Sequence, residues 1–276
     1  MTKKILLSFL LMALAAGAGY AQKIAVTKGQ KLETITTTKM KMEVMGQNMD
    51  NESIATSNVE VKDVNADGYL FINTIKRMTM KGNAMGQEMN FDSDKKEDMD
   101  GQIGQALKDK IGTPQEIQVD KRGKVAGIKD SSDKKPGGSM GDMMNMSGDI
   151  TKGQPYPILI QLPAAGVKPG DTWTDSSGTV ATLKTVTTYT LKSLTADGAL
   201  VSFMGTLSKS GSMEQNGMEI QIEMTGTTKG EAVYDAASGL LKNTTTSSDI
   251  KGSLGIMGQN APLTGTVTAN IVAKKI

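Results

Sequence analysis

Residues 32–44 read LETITTTKMKMEV, and their alternation decides the fold class. Met40 and Met42 share one parity, while Lys39 and Lys41 share the other. Successive side chains of a β-strand point to opposite faces, so this pattern predicts a strand with one buried face and one wet face.

Similar patterns recur along much of the chain. Residues 218–224, MEIQIEM, repeat the alternation. Threonine-rich stretches at 179–194 and 244–254 favour strands over helices, because threonine branches at Cβ. One helix is predicted near residues 98–110, where apolar side chains recur at helical spacing before Gly112. We therefore expect an all-β protein with one short helix.

An internal repeat predicts how the strands are organised. Residues 62–70, KDVNADGYL, resemble residues 192–200, KSLTADGAL, and both contain Asp-Gly, which favours tight turns between antiparallel strands. We predict two related antiparallel meanders, at 22–129 and 155–276, that form curved sheets around an apolar interior. Residues 130–154 are rich in Gly, Ser, Asp and Lys, and are predicted to be a flexible linker or loop.

The first 21 residues predict a secretory signal peptide. Two lysines precede an apolar run over residues 5–16, and GYA at residues 19–21 supplies a small-residue cleavage pattern. The run is shorter than the roughly 20 apolar residues that span a bilayer. We expect an exported protein that is periplasmic or associated with the outer membrane. Because the chain has no cysteine to carry a lipid, we do not expect a lipid anchor.

Composition excludes several classes of function. The chain has no cysteine and no histidine, which removes disulfides, ordinary zinc sites and imidazole catalysis. It carries 31 Lys and Arg against 29 Asp and Glu, and only 4% of its residues are aromatic, so neither a basic stripe nor a base-stacking surface is expected. We predict that the protein is not an enzyme, needs no cofactor and does not bind nucleic acid.

Methionines recur at the predicted hairpin tips. The sequence is MGQNM at 45–49, MGQEM at 85–89 and MGQN at 257–260. Turns are usually polar, so repeated methionine suggests that the tips meet something apolar, and its flexible side chain suits surfaces of variable shape. The candidate ligand-binding residues are Met45, Met49, Met85, Met89, Met218 and Met257. The alternative is that they cap the ends of the core.

The leading hypothesis is an exported, non-enzymatic binding protein for an apolar or amphipathic ligand, similar to a lipid carrier. Its partner is then a lipid or another apolar small molecule. The first alternative is a structural or interaction protein of the cell envelope without a small ligand, whose partner is a membrane surface or an envelope protein. The second alternative is Cu(I) binding, because thioether sulfur is a soft ligand. Its candidate ligands are Met140, Met143, Met144 and Met146, which we interpret instead as apolar anchors of a loop with no metal.

Three segments carry a resemblance to a known group. They are DKRGKV at 120–125, LPAAGVKPGDTW at 162–173 and GEAVYDAASGLL at 230–241. In this order they resemble uncharacterised secreted β-rich proteins of Bacteroidota, a family of unknown function. The resemblance implies a β-rich fold and an exported protein, and it implies no activity.

Overall fold

A computed structural model describes residues 24–44, 46–84, 87–129, 150, 152–163, 166–178, 183–215, 218–256 and 259–276. Of residues 84, 87, 213–215, 218–219 and 256, it describes only the backbone. The predicted signal peptide, residues 1–21, lies outside the described residues. No helix within the described ranges is long and apolar enough to cross a membrane.

Within this part of the chain, twelve strands form one antiparallel sheet. They are β1 (Lys31–Val44), β2 (Gln47–Val64), β3 (Gly68–Ala84), β4 (Gln87–Asp92), β5 (Gln115–Asp120), β6 (Val125–Lys129), β7 (Thr172–Ser177), β8 (Lys184–Thr195), β9 (Gly198–Gln215), β10 (Met218–Tyr234), β11 (Leu241–Ile256) and β12 (Gln259–Lys275). The order is β6-β5-β3-β2-β1-β12-β11-β10-β9-β8-β7, and β4 also pairs with β3. The predicted all-β, curved antiparallel fold is confirmed. The two halves are continuous, because β1 pairs with β12 over nearly its whole length.

The helical region differs from the prediction. Instead of one helix near residues 98–110, the chain forms α1 (Lys96–Asp100) and α2 (Gln102–Leu107). Gly101 separates them with an extended backbone, φ −74 and ψ 174. Glycine loses more conformational entropy in a helix than any other residue. The predicted helix is therefore interrupted at Gly101.

The two repeated segments form matching hairpins at one end of the sheet, called the lower end. The Asp-Gly pairs lie at the β2–β3 turn and the β8–β9 turn. In each hairpin the register shifts at the corresponding lysine, Lys62 in β2 and Lys192 in β8. A bulge bends a strand and increases its twist, so both hairpins curve at the same point of the repeat.

Inward-facing glycines let neighbouring strands approach closely. Buried residues alternate with exposed ones along the strands, and the buried side is called the inner face. A Cβ atom at Gly252 in β11 would overlap the carbonyl oxygen of Glu223 in β10. A Cβ atom at Gly265 in β12 would lie 2.6 Å from the carbonyl oxygen of Lys41 in β1. Glycine at these positions therefore permits the tight curvature of the sheet.

The lower end encloses the larger apolar core, called the lower cluster. Its buried members are Val26, Leu32, Val59, Val61, Tyr69, Phe71, Ile117, Val119, Val125, Tyr156, Ile158, Leu159, Ile160, Val167, Leu191, Ala199, Val201, Ala232, Tyr234, Leu240 and Leu241. They come from both halves of the chain, so the halves share one core here.

Residues 156–160, called the floor segment, run through the lower cluster. The backbone N–H of Tyr156 donates to the carbonyl of Gly123, between β5 and β6, at 2.8 Å. The N–H of Ile160 donates to the carbonyl of Gly239, between β10 and β11, at 3.0 Å. The floor segment therefore links a turn of the first half to a turn of the second.

The two edges of the curved sheet meet at an ion pair. Nζ of Lys124, just before β6, lies 2.7 Å from Oδ1 of Asp175 in β7. The two side chains are only 19% and 24% exposed. The first and last strands of the sheet order are thus held together near the lower end.

The end of the predicted linker takes part in this closure. Gly153 donates its N–H to the carbonyl of Val125, and Val125 donates to the carbonyl of Gln154 at 2.9 Å. The Gln154 side chain donates to the carbonyl of Leu183 at 2.8 Å. These residues are ordered by strand-like pairing, whereas 130–149 and 151 lie outside the described residues.

Candidate functional site

A second apolar core, called the upper cluster, lies at the other end of the inner face, which is called the upper end and carries the β1–β2, β9–β10 and β11–β12 turns. Its buried members are Met40, Met42, Ile220, Ile222, Met224, Ile250, Leu254, Ala261, Leu263 and Val267. They occupy inward positions of the adjacent strands β1, β12, β11 and β10. The strong alternation of these strands is what places them on one face.

Between the two clusters the inner face carries small, uncharged side chains, called the belt. Its members are Thr36, Thr38, Ser53, Ala55, Thr228, Gly230, Thr246, Ser248 and Ala269, each partly exposed. Across β10 and β11, the Ser248 hydroxyl donates to the Thr228 hydroxyl at 3.0 Å. A close-packed core would fill these positions with larger buried residues. The belt is instead a solvent-accessible part of the inner face between two apolar regions.

Charged residues of these strands are mostly on the opposite, outer face. Lys31 lies 3.6 Å from Glu60, and Lys39 lies 3.4 Å from Glu52, with all four side chains well exposed. Exposed pairs of this kind contribute little to stability because water screens them. Because the charged residues of β1 and β2 lie on the outer face, the belt on these two strands is uncharged.

An aromatic row flanks the belt on the last strands of the sheet. Trp173 in β7 stacks on Tyr189 in β8 with ring centroids 5.4 Å apart, and Tyr189 contacts Phe203 in β9 at 6.1 Å. Burial is the main cause that raises the pKa of Tyr189 to about 12. The three rings are partly buried and make this side of the interior apolar.

Two of the six predicted ligand-binding methionines have described side chains. Met49 in β2 lies opposite Met42, is partly buried and packs against the upper cluster. Met89 in β4 lies opposite Gly82 on the inner face and is also partly buried. The remaining candidates are Met45, Met85 and Met257, which lie outside the described residues, and Met218, of which only the backbone is described. The copper candidates Met140, Met143, Met144 and Met146 also lie outside the described residues.

An open depression of about 360 Å³ lies beside Met42 and Met49. Most of its lining belongs to the outer face: Lys41, Glu43, Asn48, Asp50, Thr264 and Thr266. Such a polar, open surface suits water better than an apolar chain. The inner face is the better candidate for an apolar ligand.

Reasoning from the sequence missed the belt and the inward position of Lys209. The alternation around Thr36 and Thr38 places these threonines on the face of Met40 and Met42, but it does not indicate that they stay partly exposed. Lys209 shares its parity in β9 with Val201, Phe203 and Leu207. That shared parity was the available signal, because alternate residues of a strand lie on one face.

A family model matches residues 66–134 and 142–241, which is more than half of the chain. The chain belongs to the DUF6263 family. The model describes a family of unknown function, so membership assigns no activity. No curated protein matches the chain.

One solved structure, which concerns lipid–protein interactions in lipovitellin, is similar in fold. The TM-score is 0.54, the sequence identity is 10%, and the match covers 91% of this chain and 25% of that chain. The DUF6263 protein thus spans about a quarter of the lipovitellin chain. At this identity the similarity concerns the fold alone.

Two outer-membrane proteins match with much lower scores. Pseudomonas aeruginosa OpdD has a TM-score of 0.23 at 8% identity, covering 91% of this chain and 100% of its own. A channel from Pseudomonas putida F1 has a TM-score of 0.26 at 7% identity, covering 91% and 98%. These scores are too low to support an argument.

Proposed function

We propose that this protein is an exported, non-enzymatic binding protein for an amphipathic ligand with an apolar chain. The ligand lies along the inner face, with its chain against the belt and the upper cluster. The observation that carries the proposal is the belt itself, a partly exposed stretch of small uncharged side chains between two apolar clusters.

The belt and the upper cluster suit an apolar chain for two physical reasons. Except at Gly230, where the Phe203 ring fills the space, the small side chains of the belt leave room for it. Each CH₂ group that leaves water contributes about 0.8 kcal/mol. Methionine side chains adjust their shape to a ligand at little cost, and Met49 and Met89 remain partly accessible at the upper end. The similar fold of lipovitellin, whose solved structure concerns lipid–protein interactions, supports this use of a curved sheet.

The competing function is an envelope scaffold or interaction protein without a small ligand. The observation that favours it is the burial of Met40 and Met42, both 8% exposed, and of Met224, which is 5% exposed. A scaffold needs a well-filled core, and these methionines contribute to one. Binding measurements separate the two functions.

Replacing Met49 and Met89 together by glutamine is expected to weaken binding of a dansyl-labelled undecanoic acid. Covering the exposed parts of two partly buried methionines contributes about 1–2 kcal/mol in total, so the affinity should fall about tenfold. The affinity is measured by fluorescence titration of the protein that lacks residues 1–21. The same titration of Met204→Gln is the matched control, because Met204 is 66% exposed on the outer face of β9.

The carrier function fails if the unaltered protein shows no saturable binding of this probe. It fails equally if Met204→Gln weakens binding as much as the double substitution. A large loss of thermal stability in the double variant, without a change in affinity, would instead show that Met49 and Met89 only pack the core.

A further inference from the structure

Lys209 faces the interior of the sheet at the level of the upper cluster. In the β9–β10 pairing it lies opposite Met224, and the register between the two strands is unbroken. Met224 is a buried member of the upper cluster, and Leu207, two residues before Lys209, packs against the same cluster. Residues two apart in a strand lie on one face, so Lys209 and Leu207 both belong to the inner face.

The side chain of Lys209 keeps partial access to water at the end of the β8–β9 pairing. The pairing of β8 with β9 begins at Lys184 and Ser208, so Lys209 lies just beyond the end of β8. Its side chain is partly buried, neither fully exposed nor enclosed. The ammonium group can therefore reach water from an apolar surface, as long cationic side chains commonly do.

This charge is distinctive on the inner face. Among the side chains that the structure describes at the level of the upper cluster, Lys209 is the one charged group facing inward. Among the residues that the structure describes, no Asp or Glu side chain forms an ion pair with Lys209. A charge beside an apolar cluster is stabilised most by a counter-charge that accompanies an apolar group.

We infer that Lys209 binds the head group of the ligand, and that the ligand is a single-chain monoanionic amphiphile, namely a long-chain fatty acid. This inference rests on the proposed function. Charge complementarity decides which ligand fits. One lysine carries a single positive charge, which matches one carboxylate. An inorganic anion or a doubly charged head group would need additional cations or a bidentate arginine. From Lys209 the acyl chain then lies along the inner face, across the upper cluster and the belt.

The test compares two probes of equal chain length, dansyl-labelled undecanoic acid and dansyl-labelled undecanol. Lys209→Met keeps an unbranched apolar side chain and removes the charge. We expect its affinity for the acid to fall about tenfold or more, as loss of a charge-assisted hydrogen bond does, and its affinity for the alcohol to stay the same. Lys229→Met is the control, since Lys229 lies on the outer, exposed face of β10.

The outcomes separate this inference from the proposed function. If the unaltered protein binds neither probe, the proposed function is wrong and the inference falls with it. If both probes bind and Lys209→Met leaves the affinity for the acid unchanged, only the head-group role is overturned. An equal loss for acid and alcohol also overturns it, because a structural defect affects both.

Discussion

Tyr156→Ala is expected to lower the free energy of unfolding by about 3–5 kcal/mol, the usual cost of removing a large buried ring. Tyr156 is 2% exposed and its ring lies 4.9 Å from that of Phe71 in β3. It also starts the floor segment, whose hydrogen bonds join the two halves. The substitution leaves a cavity where the lower cluster is shared by both halves, so the whole sheet should lose stability.

Urea unfolding followed by fluorescence measures this loss, because Trp173 is the single tryptophan of the chain and stacks on Tyr189. Tyr156→Phe keeps the ring and is the matched control, with a change of less than about 1.5 kcal/mol expected. If Tyr156→Ala costs no more than Tyr156→Phe, the floor segment does not hold the halves together.

Gly252→Ala is expected to lower the free energy of unfolding by about 1–3 kcal/mol, the typical cost of overpacking. The new Cβ atom would overlap the backbone of Glu223, so β10 and β11 would have to separate where the sheet curves. Gly255→Ala in the same strand is the control. Its Cβ atom would lie 3.2 Å from Cβ of Gln221, a contact that a shift of a few tenths of an ångström relieves.

Urea unfolding of both variants, under identical conditions, checks this explanation of the curvature. We expect Gly255→Ala to unfold close to the unaltered protein and Gly252→Ala to unfold at clearly lower urea. Equal losses in the two variants would mean that general strand propensity, and not close approach of the strands, accounts for the effect.

Much of the fold could be predicted from the sequence because its determinants are local. Alternation over residues 32–44 and 218–224 indicated strands and also which side chains face the core. Asp67-Gly68 and Asp197-Gly198 located two hairpin turns, and their repeated context indicated two related meanders. The helix near 98–110 was predicted too long, because the entropic cost of Gly101 outweighed the helical spacing of the apolar side chains.

The remaining features depend on contacts between residues that are distant in sequence. The ion pair between Lys124 and Asp175 forms only when the sheet has curved enough to bring its edges together. The floor segment was not recognisable as core, because residues 156–160 are too few and too irregular for a periodic pattern. The belt could not be predicted without the strand register, because the sequence does not show which threonines of neighbouring strands lie side by side.

The most direct test of the ligand site is an NMR measurement on protein with isotope-labelled methionine methyl groups and a doxyl-labelled stearic acid. A spin label broadens nearby signals, so it reports where the chain of the ligand lies. We predict that the methyl signals of Met49 and Met89 are broadened in proportion to bound ligand, while that of Met204 on the outer face keeps its intensity. Broadening of Met204 to the same extent, or no saturable broadening of Met49 and Met89, would contradict binding on the inner face.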